Sequence, residues 1–282
     1  MKTSFVAFLN KRGIACASDT DMTLYALSRQ EPVALAVNSY SPIPWDSIIN
    51  AYLRKGDIPL HESFIDYAHD FVNFLPTVDA NPKWKTLTDE DRNIIFLGFG
   101  SDDVFPAGVD MMVSYDEDTQ KLISDYEQLH TIDVNCYSAY FYLSKFDNVQ
   151  SILFGMSESR RQEIKDMYTD IFHAYQDRIK AAVKNTEYED DISKYISENN
   201  AAETYAEEID RLCSSQQKDV FMALDSFNVE DLVMVAENYV DSQDQLEHLK
   251  TCGKYPLKQT KELAVITRTE GLTWIKHSLY GN

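Results

Sequence analysis

Residue types able to do chemistry are scattered through this chain, and most stand at spacings that keep them apart. The cysteines fall at Cys16, Cys136, Cys213 and Cys252, with no CxxC pair among them. That pattern gives neither a zinc motif nor a disulfide framework, so they read as reduced thiols. The histidines are isolated as well. His61 precedes Glu62 and His69 precedes Asp70, but adjacent residues leave a helix in different directions, and no HExxH arrangement sets two imidazoles on one face. The acidic runs EYEDD at 187–191 and SDD at 101–103 lack the spacing of a calcium loop and read as solvated loops. Gly98 and Gly100 in NIIFLGFG lack the third glycine and the following helix that would cradle a dinucleotide phosphate. No metal and no cofactor is expected, and Trp45, Trp84 and Trp274 read as packing residues rather than a ligand cage.

Composition narrows the partners. With 282 residues, 44% hydrophobic and 12% aromatic, the chain has material for a sizeable core. A formal net charge of −20 repels phosphate backbones and anionic headgroups, which argues against nucleic acid and against a membrane surface. No stretch approaches the ~18 apolar residues of a membrane helix. Met1-Lys2 ahead of TSFVAFL has the outline of a signal peptide. An apolar run of about seven residues, cut by Lys11-Arg12, sits at the lower limit for its hydrophobic region, so a cytoplasmic protein is expected.

The elements that would position any site follow from hydrophobic periodicity. Residues 3–9 and 14–18 are short apolar runs joined by Asn10-Lys11-Arg12-Gly13, which predicts a β-hairpin whose strands are apolar on both faces. A strand, VALAV at 33–37, follows. SPIPWDSIINAYLRKG reads as a helix with Pro44 at its start, and ESFIDYAHDFVNFL as a second helix stopped by Pro76. Strands return in NIIFLGFG, AGVDMMVSYD and QKLISDYEQ. From about 157 to 249 the pattern is helical, with Ile164, Tyr168, Ile171, Tyr175 and Ile179 on one stripe, and the chain closes on two strands, KELAVITR and LTWIKHSLY. The Tyr-rich SAYFYLSKF at 138–146 fits either core or an exposed patch used in assembly. Doubly buried strands with helices arriving in two blocks predict an α+β fold, a four-layer αββα sandwich in which residues 1–282 form one domain with the helical segment about 157–249 inside it.

The opening stretch TSFVAFLNKRGIACASD resembles the start of proteasome β-type subunits of the N-terminal-nucleophile (Ntn) hydrolase superfamily. There a threonine opens the first strand and a small-small-Asp triplet ends the second. Thr3 and Asp19 stand at the interval of that pattern. PVALAVNSYSPIPWDSII, NIIFLGFGSDDVFPA and ELAVITRTEGLTWIK resemble an uncharacterised bacterial group of the same superfamily, whereas residues from roughly 157 to 225 match only in character. The resemblance implies acyl transfer through an ester: the free α-amino group of the first residue acts as base for that residue's own hydroxyl. A lysine helps electrostatically, and an aspartate orients the lysine.

Three departures from that pattern point one way. The family's lysine lies on the strand just before the segment matching PVALAV, where this chain has DMTLYALSRQEP and so places Thr23-Leu24-Tyr25. The lysine is missing, and Arg29, the nearest cation, is not an interchangeable donor. Thr3 follows Met1-Lys2 with no glycine to assist self-cleavage, and the large Lys2 is expected to keep the initiator methionine in place. The glycine-rich stretch ahead of the last hairpin is replaced by GKYPLKQT at 253–260. The expectation is a catalytically impaired Ntn-fold protein acting as a structural or binding subunit of a homo- or hetero-oligomer. The alternative is a threonine-type amide or peptide hydrolase, with Thr3 as nucleophile once Met1-Lys2 is removed. At the level of single residues, Thr3 reads as that nucleophile or as an ordinary strand threonine, and Asp19 as a residue that orients a site group or caps a strand end. Ser18 and Thr20 read as turn residues.

Overall fold

A computed structural model describes the chain except for residues 1–3, 20–23, 29, 57–58, 79–80, 134–135, 137, 144–145, 200, 255–259 and 277–282. The opening hairpin forms as its sequence predicts. β1 (Phe5–Asn10) and β2 (Gly13–Ser18) pair antiparallel with Asn10 opposite Gly13, and all twelve residues are buried. The hairpin is central in its sheet because its partners come from far along the chain: β8 (Ser138–Leu143) pairs with β1, and β9 (Glu262–Thr267) with β2. β10 (Gly271–Lys276) then pairs with β9, giving the order β10-β9-β2-β1-β8. A second sheet runs in chain order as a meander: β3 (Leu24–Ala26), β4 (Val33–Val37), β5 (Asn93–Gly98), β6 (Ala107–Asp116) and β7 (Lys121–Thr131). Every pairing in both sheets is antiparallel.

Alternation along each strand sends its residues into two different cores. Phe5, Ala7 and Leu9 of β1 join Ile95 and Leu97 of β5 in one cluster, together with Phe141 of β8 and Ile266 of β9. The opposite face of the second sheet, with Leu35, Phe96, Val109 and Met111, packs with Ile48, Ile49 and Tyr52 of α1 (Trp45–Arg54) and Phe64, Tyr67 and Phe71 of α2 (Phe64–Phe74). A one-turn helix, α3 (Asp89–Arg92), leads into β5. Phe8, on the other face of β1, meets Tyr239 of α8 (Val229–Lys250) edge-on, with centroids 5.9 Å apart. SAYFYLSKF divides the same way: Ala139, Phe141 and Leu143 join the first cluster, whereas Tyr140 stacks on Tyr142 and on Phe221 at about 6 Å, in the aromatic range.

Close approach between the sheets explains a glycine. A Cβ on Gly108 would sit 2.3 Å from the Phe141 ring, so the ring occupies the place of a side chain. Asn10 at the hairpin tip is fully buried and makes the tip a tie: its Nδ2 donates to the carbonyls of Leu224 at 2.8 Å and Phe227 at 2.9 Å, and its Oδ1 accepts from Arg12 N at 2.9 Å. Those carbonyls lie at the end of α7 (Ala201–Ser226), where helices leave acceptors unsatisfied.

The chain divides into two compact units, one of residues 1–145 with 221–282 and one of residues 146–220. The second contains α4 (Phe146–Phe154), α5 (Glu158–Val183), α6 (Glu189–Glu198) and the greater part of α7. α5 starts where Ser157 caps Arg160 N and Gln150 accepts from Glu158 N at 2.6 Å. Tyr168 and Phe172 of α5 meet Tyr205 of α7, and Lys165 reaches Asp210 at 2.7 Å. None of the residues of α5 is buried, so its apolar stripe does not serve as core.

The Gly108 contact is directly testable. Gly108→Ala is expected to lower unfolding free energy by about 1–3 kcal/mol through overpacking, measured by urea denaturation. Most of that loss should return when Phe141→Leu is added.

Candidate functional site

Strand register places a distinct set of polar residues at the Ser4 end of the gap between the sheets. Across the first sheet, Leu143, Phe5, Ser18 and Glu262 form one row. Across the second, Leu24, Ala36, Ile95, Asp110 and Gln128 form another. Leu24, Ala36 and Ile95 belong to the cluster between the sheets, so Asp110, in the same row, faces the first sheet too. Gly108, two residues away, confirms that direction by its contact with Phe141. A crevice with no room for a water molecule runs between Phe5, Ser18, Leu24, Glu262 and Trp274.

Asp19 follows β2 and is 1% exposed. Its N–H donates to the Ser4 carbonyl at 3.0 Å, and its Oδ1 accepts the Ser4 N–H at 2.7 Å. The carboxylate thus prolongs the β1–β2 ladder by one rung and fixes the residue after Thr3. Thr3, Thr20 and Arg29 lie outside the described residues. Ser18 is not a turn residue: it ends β2, is buried, and its carbonyl accepts from Lys261 N at 2.8 Å. Beside it, Thr260 is tied to α8 through the Asp241 carboxylate, which accepts from Thr260 N at 3.0 Å and from its Oγ1 at 2.9 Å.

The strand that would carry the lysine, β3, reads Leu-Tyr-Ala. Leu24 faces the gap and is 5% exposed, and Tyr25 turns the other way, donating its hydroxyl to Asp46. Burial and the Asp46 carboxylate hold that phenol well above its ordinary range. No ammonium projects from β3.

Two acidic residues at this end were not singled out by sequence reasoning. Glu262 opens β9 and is 2% exposed. Asp110 in β6 is half-buried, and burial lifts its carboxyl from 3.8 to about 6, against the opposing effect of a hydrogen bond from Asn93. Asn93 Oδ1 is itself buried without a partner among the described residues. In ELAVIT the signal was present, an acid heading an otherwise apolar run; in AGVDMMV it was not, because Asp110 falls on the polar beat between Val109 and Met111. Burial favours the protonated form of the Asp110 carboxyl, which suits that group to holding a proton.

Elsewhere the expected solvated loop at 101–103 holds at the exposed Asp102 but not at Asp103. Asp103 Oδ2 accepts from Phe64 N at 2.8 Å and Gly100 N at 2.7 Å, so it caps α2 from outside the helix and pins the chain after β5. Gly100 lies so close to that helix start that a Cβ would meet the Glu62 carbonyl at 2.4 Å. Two histidines pack on aromatic rings, His61 on Tyr67 and His130 on Phe141. The four cysteines are free thiols, and burial pushes that of Cys16 far up. Among the described residues no cluster of His, Cys, Asp or Glu has the geometry to hold a metal ion, and no helix is long and apolar enough to cross a membrane.

Comparison of the chain with models of protein families and with curated proteins gives no match.

Asp110 provides a pH test. A carboxyl that titrates near 6 in the fold and near 3.8 unfolded favours its protonated form in the fold, so its contribution is fully present below pH 3.8 and is lost as pH rises through about 6. The loss amounts to about 3 kcal/mol at most. Asp110→Asn is expected to abolish this component between pH 4 and 6, read by chemical denaturation across that range.

Proposed function

We propose that this protein has a proteasome-like Ntn fold with impaired catalysis and works as a structural or binding subunit of a homo- or hetero-oligomer. Support for the fold comes from the layering in the larger unit. α8 lies on β1, β2 and β9, the two sheets share one core, and α1 and α2 cover the far side of the second sheet. That order of layers supports an αββα sandwich, with the β1–β2 hairpin in the middle of one sheet. Since one fold hosts many activities, the functional part of the reading rests on the site instead.

The observation that carries it is Leu24. The resemblance calls for an ammonium within Thr23-Leu24-Tyr25; Thr23 lies outside the described residues, and Leu24, which faces the gap, puts a buried isobutyl group at the crevice that Phe5 and Trp274 line. A threonine hydroxyl in that setting gains no electrostatic help in losing its proton. Inserting a cation there without compensation would bury an unpaired charge.

One contact favours the alternative, a threonine-type hydrolase. Asp19 holds Ser4 through two hydrogen bonds, which fixes the backbone directly after Thr3, as a precisely placed nucleophile would require. A threonine-directed epoxyketone separates the two readings. We expect intact-mass analysis of the natural protein to show Met1-Lys2 still attached and no adduct after incubation with the probe. An adduct that forms on the parent chain and disappears in Thr3→Ala would overturn the dormant reading and establish the hydrolase.

A further inference from the structure

α5 carries an apolar stripe that stays partly exposed, although Tyr168 within it stacks on Tyr205 of α7. Met167, Tyr168, Ile171, Tyr175 and Ile179 are between 38% and 58% exposed, on a helix of 26 residues that is about 39 Å long at 1.5 Å per residue. Their spacing places them along one flank of the helix, beside the residues that meet α7. A helix pair with a bare apolar flank has the form of half a four-helix bundle.

We infer that this flank is where a second copy of the same chain docks, α5 antiparallel against α5 about a twofold axis near Ile171. The inference rests on the reading of the protein as an assembling subunit and names the surface and the partner. Three observations favour a second copy over a different protein. Flanked by the half-buried Ile164, the exposed residues Tyr168, Ile171, Tyr175 and Ile179 make an Ile-Tyr-Ile-Tyr-Ile order that is nearly the same in both directions, and a twofold interface requires a patch complementary to itself. Charge points the same way. In a chain of net charge −20, copies repel one another, yet α5 carries five acids (Glu158, Glu163, Asp166, Asp170, Asp177) and five bases (Arg160, Arg161, Lys165, Arg178, Lys180), so it brings no net repulsion to the contact. Area fits as well. Five large side chains, each about half exposed, offer roughly 500 Å² per copy on the scale of 150–250 Å² per aromatic residue, or ~1,000 Å² for the pair. That total stands at the threshold of about 1,000 Å² for a specific interface, so the dimer is weak and depends on concentration.

The experiment is sedimentation velocity on the full chain over a dilution series, with Ile171→Glu and, separately, Tyr175→Lys. Both positions are exposed, and far-UV circular dichroism with a thermal melt verifies that each variant retains its fold. The parent is expected to shift from monomer to dimer mass as concentration rises, and each variant is expected to stay monomeric. A parent that associates while both folded variants associate equally well overturns this inference and leaves the subunit reading standing. A parent that is monomeric throughout overturns this inference together with the homo-oligomer form of the subunit reading. Capture of the epoxyketone at Thr3 with association unchanged bears only on catalysis.

Discussion

A hairpin that is apolar on both faces cannot be exposed on either, and that constraint organises the larger unit. Phe5, Ala7 and Leu9 need one cover, and Val6, Phe8 and the tip residue Asn10 need another. The second sheet supplies the first cover, and α8 with the end of α7 supplies the other. Hydrophobic burial at about 25 cal/mol per Å² acts on both sides of the same strands, so whatever loosens either cover weakens the hairpin as a whole. The second sheet then has a far face of its own, which α1 and α2 close. Each layer exists because the one beneath it would otherwise be wet.

Much of this was legible in the sequence. Unbroken apolar runs announced the doubly covered strands, and three-and-four spacing announced α1 and α2, because local pattern and final burial agree at those positions. The pattern misled where burial depends on what lies opposite. The α5 stripe has the period of a core helix but stays largely exposed, its contact with α7 running through Tyr168 and Phe172. Asp103 looked like one more loop acid, and its role as a remote cap depends on a helix start some forty residues earlier. β3 is three residues long, too short for any periodicity to mark. Register is equally silent in a single sequence. Only the pairing of β6 with β5 shows that Asp110 shares a row with Leu24.

At the candidate site the same rows decide the electrostatics. One sheet contributes Asp19 and Glu262, the other Asp110, and the surface between the sheets is apolar, with Phe5 and Phe141 among its residues. Of these acids, Asp110 has its carboxyl pushed up to about 6 by burial. Tyr25 illustrates the division of labour: its ring belongs to the helix-side core and its hydroxyl to Asp46, so β3 serves packing on both of its faces.

The pairing order of the first sheet has a consequence for biosynthesis. β1 and β2 are made first, but their neighbours are residues 138–143 and 262–267. At ribosomal rates of about 5–20 residues per second, on the order of 10–50 s pass between emergence of the hairpin and arrival of its last neighbour. Throughout that interval two greasy strand edges stand open on a nascent chain, so this protein's yield in a cell depends on whether something shields its first twenty residues until its last twenty arrive.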